Sequence, residues 1–281
     1  MEQLVQSRRG IKRIVVGQET SDGAGVRLTR VIGGAQLPQF DPFLLLDSFV
    51  SDNPDDYIGG FPPHPHRGFE TVTYLLAGQV EHRDNAGHTG LLEAGGVQWM
   101  TAGRGVIHSE MPQQLDGLLS GFQLWVNLPA SQKMTEPGYQ EFDREAIPLE
   151  ERGDGVEVRV VAGQTSQQTT GPVSELVTPV LFYDITLPAD SRFIEPLAQA
   201  YNGFVYLIEG AVSIDGIKME RSSLAVLDQG DELEIEAQAQ SRLLLVAGLP
   251  LDEPIARRGP FVMNSEAELQ QAFNDYQEGR F

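Results

Sequence analysis

Four side chains have the types and the spacing to hold a metal ion: His64, His66, His108 and Glu110. The members of each pair stand two residues apart, so on extended backbone both leave from one face. Two adjacent strands inside a barrel would then present three imidazole nitrogens and one carboxylate oxygen to a single ion. The chain has no cysteine, which removes thiolate ligands, thiol nucleophiles and disulfides. The nitrogen and oxygen donors that remain suit iron, manganese, nickel, copper or zinc. Pro65 and Arg67 flank His66, and a Gly-Arg-Gly turn at 103–105 precedes His108; these features can fix the backbone before each pair. On spacing alone, solvated or hydrogen-bonded histidines fit the pattern too, and both readings stay open at this point. His82 and His88 bracket a turn-like stretch and read as exposed or hydrogen-bonded, outside the metal set. Glu70 fits a fifth ligand, an acceptor behind a ligand, or a structural salt bridge.

Such pairs need strands to carry them. Short apolar runs at 43–46, 71–76, 121–128, 156–161, 204–208 and 243–247 are punctuated by 30 glycines and 17 prolines, a pattern of sandwich or barrel β-structure. Val72, Tyr74 and Leu76 share one strand face and alternate with Thr71 and Thr73. The Gly-x-Gly at 103–105 lacks the strand-to-helix grammar of a dinucleotide site. TVTYLLAG at 71–78 and GFVYLIEG at 203–210 hint at an internal duplication, offset by 132 residues there and by 134 at the glycine turns Gly96 and Gly230. Two related domains joined within 133–155 are the consequence. The expected division is 1–140 for an amino-terminal metal-binding barrel, 150–260 for a second barrel, and 261–281 for a helical tail. With those offsets the counterparts of the four candidate ligands are Pro196, Ala198, Arg242 and Leu244. None is an ordinary ligand, so the second barrel is expected to lack a metal and to support the first. In the tail, Ser265 and Glu268 form a capping-box pattern, and Leu269, Phe273 and Tyr276 an apolar stripe, predicting a helix that packs or lids a site.

With 281 residues, 41% of them hydrophobic, the chain can bury one large or two medium cores. A net charge of −20 favours solubility and opposes nonspecific binding to nucleic acid or anionic membranes. No apolar run approaches the length of a membrane span, and MEQLVQSRRGIKRIVV lacks the apolar stretch of a signal peptide. A soluble, cytoplasmic monomer is expected.

The strings GGFPPHPHRGFETVTYLLAGQVEHRD at 59–84, GGVQWMTAGRGVIHSEMP at 95–112 and GFQLWVNLP at 121–129 resemble the pirin family of the cupin superfamily. The likeness runs over nearly the whole chain. It implies an all-β fold of two stacked, jelly-roll-like cupin β-barrels with a short C-terminal helix and an iron-type metal in the amino-terminal barrel. The family's ligand pattern falls on His64, His66, His108 and Glu110 without gap or substitution. It leaves Glu70 outside, although many other cupins use the acid at that place. Bacterial pirins resemble quercetin 2,3-dioxygenases, which open the central heterocycle of a flavonol and release carbon monoxide. The implied cofactor is one divalent transition metal, Fe(II) first, with Mn, Ni, Cu, Co or Zn as other occupants. The implied partners are dioxygen and a flavonol or other small phenolic compound. Glu110 is the expected catalytic residue, taking the proton of the flavonol 3-hydroxyl in a largely apolar cavity. Phe49, Val72, Trp99 and Trp125 are candidates for its lining and equally for the core. Pirins of other organisms imply a second reading, a metal-dependent module that binds a transcription-related protein or a metabolic enzyme.

Overall fold

A computed structural model describes residues 7–281; residues 1–6, with which the expected first domain begins, lie outside the described residues. The glycine-punctuated runs form strands, and backbone contacts gather them into two units. One comprises Gln18–Glu145 with Leu251–Phe281; the other joins the described residues up to Gly17 to Ala146–Pro250. This grouping differs from the expected division in both terminal segments. Ile11–Val16 pairs with Ser223–Leu227, and the helix Glu266–Gln277 packs through Leu269 and Ala272 on Phe261 and Met263, within the histidine-bearing unit. Ser265 caps that helix as its pattern requires, accepting from the Glu268 amide. Tyr276 is partly exposed but its ring meets those of Phe261 and Phe281, and Ala272 joins Leu269 in the buried core.

Each unit has a seven-stranded and a four-stranded antiparallel sheet. In the histidine-bearing unit the larger sheet runs Gly138–Phe142, Val97–Thr101, Phe69–Ala77, Leu119–Asn127, Phe43–Ser51, Val26–Ile32, Gln18–Asp22. The smaller runs Phe61–His66, Val106–Pro112, Gln79–Asp84, Thr89–Glu93. The other unit repeats both arrangements. Phe69–Ala77 and Asn202–Glu209 hold the same third place in their sheets, and each is followed by a glycine at φ +90°, Gly78 and Gly210. The duplication is therefore one of topology.

Closed barrels, expected from the sequence, do not form. Among the described residues no ladder joins the two sheets of a unit, so each unit is a two-sheet sandwich with edges. Closure requires every strand to find hydrogen-bond partners on both sides. Phe61–His66 carries Pro62, Pro63 and Pro65, which have no N–H to donate and hold a strand at a sheet edge. At the far side of the larger sheet, Gln18–Asp22 is exposed and polar throughout.

The two sandwiches are filled differently. In one, Val160, Tyr183, Leu245, Val205 and Ala225 are paired in register across five adjoining strands and belong to a continuous apolar core. The equivalent strands of the histidine-bearing unit carry Arg30, Asp47, Gln123, Thr73 and Gln98 in register. Directly paired residues share a face, so a polar row crosses the inner face of this sheet. Its apolar core, with Leu28, Phe49, Leu75, Val80 and Leu92, lies to one side of that row.

Candidate metal centre

Phe61–His66 and Val106–Pro112 pair antiparallel, with His108 opposite His64 and Val106 opposite His66. The period-two alternation of both strands then turns three imidazoles to one side. Their candidate ligand atoms lie within 4.8 Å of one another, and the ring centroids stand 4.4 to 4.9 Å apart. The register shifts after His108, so that Glu110 comes opposite Phe61. Glu110 is not part of the three-histidine cluster. Its buried carboxylate accepts from Thr73 Oγ1 at 2.7 Å and from Gln123 Nε2 at 3.2 and 3.3 Å.

The donor chemistry of the three rings fits a transition metal. One nitrogen of each is already engaged: His64 Nδ1 lies 2.9 Å from Pro62 O, His66 Nδ1 3.4 Å from Pro260 O, and His108 Nδ1 3.0 Å from His82 Nε2. Contacts of this kind orient a metal-ligating imidazole and leave its other nitrogen as the donor. His108 Nε2 is buried and has no hydrogen-bond partner among the described residues, a costly condition for a polar atom unless something binds it. Burial, and after it the neighbouring histidines, hold the pKa values of His66 and His108 well below the ordinary 6.5. Both rings are thus neutral, the form that coordinates.

The other candidates separate clearly. His82 is 1% exposed, stands opposite Glu110, and stacks on Tyr139 at 4.9 Å; it is a buried support for His108 rather than a surface residue. His88 is half exposed and paired with Asp84 at 2.8 Å. Glu70 is buried and accepts from Trp99 Nε1 at 3.0 Å and Thr101 Oγ1 at 2.8 Å. Among the described residues it makes no salt bridge, and burial raises its pKa. Thr73 and Gln123 lie beyond the sequence expectations. Their signal was a polar residue among apolar neighbours in each run, and its meaning depends on the register that pairs the two.

His64 and His66 face a cleft of about 510 Å³. Leu45, Phe61, Pro62 and Trp125 supply apolar wall, and Asp22, Arg30, Asp47 and Arg257 supply charge. The largely apolar cavity expected from the sequence is therefore mixed, because the polar row surfaces there. Trp125 lines the cleft, whereas Val72 and Trp99 are core residues and Phe49 lines a smaller cavity that Glu110 also borders.

The tail braces the loop after His66. Buried Arg67 donates through Nε to Arg104 O at 2.5 Å and pairs with Asp275 of the helix at 2.6 Å, under the Phe281 ring. Gly68 has φ +88°, and a Cβ there would meet Val262 O at 1.9 Å, so only glycine fits. Lys133 Nζ donates to Gly68 O, Asn127 Oδ1 and Val262 O, at 2.7, 2.7 and 3.1 Å. Arg104 makes an exposed pair with Glu136.

Two family models match this chain: Pirin over residues 25–126, and the Pirin C-terminal cupin domain over 182–281. A pirin-like protein of Caulobacter vibrioides is 50% identical over 273 residues, covering 97% of this chain and 99% of that one. The chain belongs to the pirin family. Human pirin is 42% identical over 283 residues, 98% of this chain and 94% of its own. Among solved structures, quercetin 2,3-dioxygenase from Acinetobacter baumannii shares 33% identity at a TM-score of 0.90, covering 98% of this chain and 99% of that one. This pirin is thus related to bacterial quercetin 2,3-dioxygenases and carries a three-histidine candidate metal site.

The pirin's other unit shows what the same strands hold without histidines. Phe193 pairs with Ile235, and Glu195 with Leu233, on the inner face that His64, His66 and His108 occupy in the first unit. Glu195 is committed to Arg152 and to the Ser166 amide, both at 2.7 Å. Pro196, Ala198, Arg242 and Leu244 are therefore not the structural counterparts of the ligands. Arg242 lies on the strand equivalent to Leu119–Asn127 and pairs with Asp184 at 2.6 Å.

Proposed function

We propose that this pirin is a metal-dependent dioxygenase that opens the heterocycle of flavonols such as quercetin, with dioxygen as co-substrate and carbon monoxide as a product. The observation that carries this reading is the meeting of three histidines beside a cleft of flavonol-compatible size, with a buried carboxylate on the same strand as His108. His64, His66 and His108 hold a divalent ion, Fe(II) in first place, and Glu110 completes the set by turning from Thr73 and Gln123 toward it. The bound ion supplies Lewis acidity that lowers the pKa of a flavonol 3-hydroxyl. Glu110 then accepts that proton on a carboxylate oxygen. Thr73 and Gln123 hold the carboxylate until it turns to the ion, and Trp125 and Phe61 flank the planar substrate.

The test is oxygen uptake and carbon monoxide release by Fe(II)-loaded, full-length protein supplied with quercetin. Flavonol-dependent uptake at one metal per chain is expected; a fully loaded protein that consumes no oxygen with any flavonol rejects the reading. Glu110→Gln keeps the size of the side chain but loses its charge and basicity. It should weaken metal binding and lower turnover per bound metal by more than about tenfold, since a positioned base contributes roughly 100- to 10,000-fold. Equal turnover per metal would leave Glu110 without a part in proton transfer.

A further inference from the structure

The charged groups on the cleft wall are mutually paired with one exception. Arg30 donates to Asp47 through Nε at 2.9 Å and NH2 at 2.7 Å, and to Asp22 through NH2 at 2.8 Å, so these three charges are committed to one another. Arg257 lines the same cleft. It donates to Leu44 O at 2.9 Å, and its guanidinium carbon lies 4.7 Å from the centroid of the Trp125 ring. Among the described residues it makes no salt bridge. Trp125 also contacts the His66 ring at 5.2 Å and the Phe69 ring at 4.3 Å. A single aromatic side chain therefore separates an unpaired cation from the candidate metal centre.

A guanidinium carries five N–H donors in a planar fork. Among the described residues only one is spent, on Leu44 O, and a guanidinium lying over an indole ring keeps its N–H groups available for bonding. That edge matches a carboxylate or a phenolate, and such a charge-assisted pair is stronger than a contact with a neutral group. Burial, and then the nearby Arg30, lower the pKa of Arg257, against the pull of Asp47 and Asp22, but a guanidinium stays protonated at neutral pH.

We propose that Arg257 is the anion-recognition residue of this cleft, selecting planar aromatic ligands that carry a carboxylate or an ionised phenol at the end remote from the histidines. This rests on the dioxygenase reading only in taking a planar aromatic molecule as the occupant. Arg30 offsets one of the two charges of Asp22 and Asp47; the other acts on Arg257 through space without a salt bridge, so an anionic ligand has to gain more from direct N–H contacts than it loses to that repulsion. Arg30 takes the direct hydrogen bonds of both carboxylates, which leaves the Arg257 guanidinium without a carboxylate on its N–H groups among the described residues.

The test uses two probes of the same shape, 2-naphthoate and 2-naphthol, the first charged and the second neutral at pH 7. Full-length protein, metal-free and Zn(II)-loaded, is titrated with each while tryptophan fluorescence is followed. Naphthoate should bind about tenfold more tightly than naphthol, the scale of one hydrogen bond to a charged group. The preference should appear in both metal states, which separates Arg257 from direct coordination of the carboxylate. Arg257→Gln should bring the two affinities together without altering metal content, and Arg257→Lys should restore part of the difference. Equal affinities in the wild type, an unchanged preference in Arg257→Gln, or no saturable naphthoate binding overturns the proposal. Quercetin-dependent oxygen uptake on the same samples keeps the two readings apart. An Arg257-dependent preference without turnover rejects the flavonol reading alone, and turnover without the preference rejects the role of Arg257 alone.

Discussion

His82 shows how much a single side chain changes when its neighbours are known. From its place beside a turn it reads as exposed or hydrogen-bonded; it is buried and engages His108 Nδ1 at 3.0 Å. That contact fixes which nitrogen of His108 is left for a metal, and loss of such an orienting partner typically costs 10- to 100-fold in affinity. His82→Ala should therefore weaken metal binding by about that factor, while His108→Ala abolishes tight binding. Competition against a chelator of known affinity distinguishes them; a His82→Ala protein with wild-type affinity would reduce the contact to packing. The same burial has a consequence for pH. His66 and His108 have folded-state pKa values well below 6.5, so below pH 6.5 the unfolded chain binds more protons than the native one. Metal-free stability is then intact above about pH 6.5 and falls as pH drops, by about 1.4 kcal/mol per pH unit for each such histidine until its folded pKa is reached. Urea unfolding at pH 7.5 and 5.5 should show a smaller difference in His108→Gln than in the wild type. An identical difference would mean that His108 is protonated as readily in the fold as out of it.

At the scale of elements, the sequence made the strands and the histidine pairs legible because both depend on local alternation. The runs containing Thr73, Asp47 and Gln123 are visibly apolar with a few polar interruptions each. That the interruptions form a row behind Glu110 depends on strand register, which local pattern does not specify. Closure failed as an expectation for a similar reason: three prolines in Phe61–His66 keep that strand at an edge, where the general family picture supplied a barrel. The tail was legible as a helix through Ser265 and Glu268, but its target was not, since the buried Arg67–Asp275 pair joins residues 208 positions apart. That pair gives the brace a measurable weight. Arg67→Met leaves Asp275 with Arg280 and removes the stacking under Phe281. Breaking one side of a buried pair costs roughly 3 to 5 kcal/mol, and partial rescue by Arg280 places the expectation at about 3 kcal/mol in urea unfolding. Faster amide exchange in Phe261–Met263 should accompany it. A variant as stable as the wild type would show that the tail docks by its apolar face alone.

For the whole molecule, duplication explains why one unit should hold a metal and the other should not. Both have the same strand order, so the difference lies in what the shared positions carry. Matching the halves by a constant offset succeeds at TVTYLLAG and GFVYLIEG but misplaces the ligand counterparts, because the connections between strands differ in length. Phe69 begins its strand three positions after His66, whereas Asn202 begins its strand six positions after Pro196. Compared by sheet position, the inner face offers His64, His66 and His108 in one unit and Phe193, Glu195 and Ile235 in the other. The surroundings follow suit: a polar row supports Glu110, while Val160, Tyr183, Leu245, Val205 and Ala225 fill the corresponding space with apolar volume. A cation placed there would meet only Glu195, already bound to Arg152, and would pay desolvation without compensating ligands. Metal content should accordingly be one ion per chain after loading and removal of excess, and should fall to nearly zero in His64→Ala/His108→Ala. Elemental analysis of the full-length proteins measures both numbers. A second tightly held ion in the wild type, or an ion retained by the double variant, would mean that the apolar unit binds metal through groups its topology does not bring together.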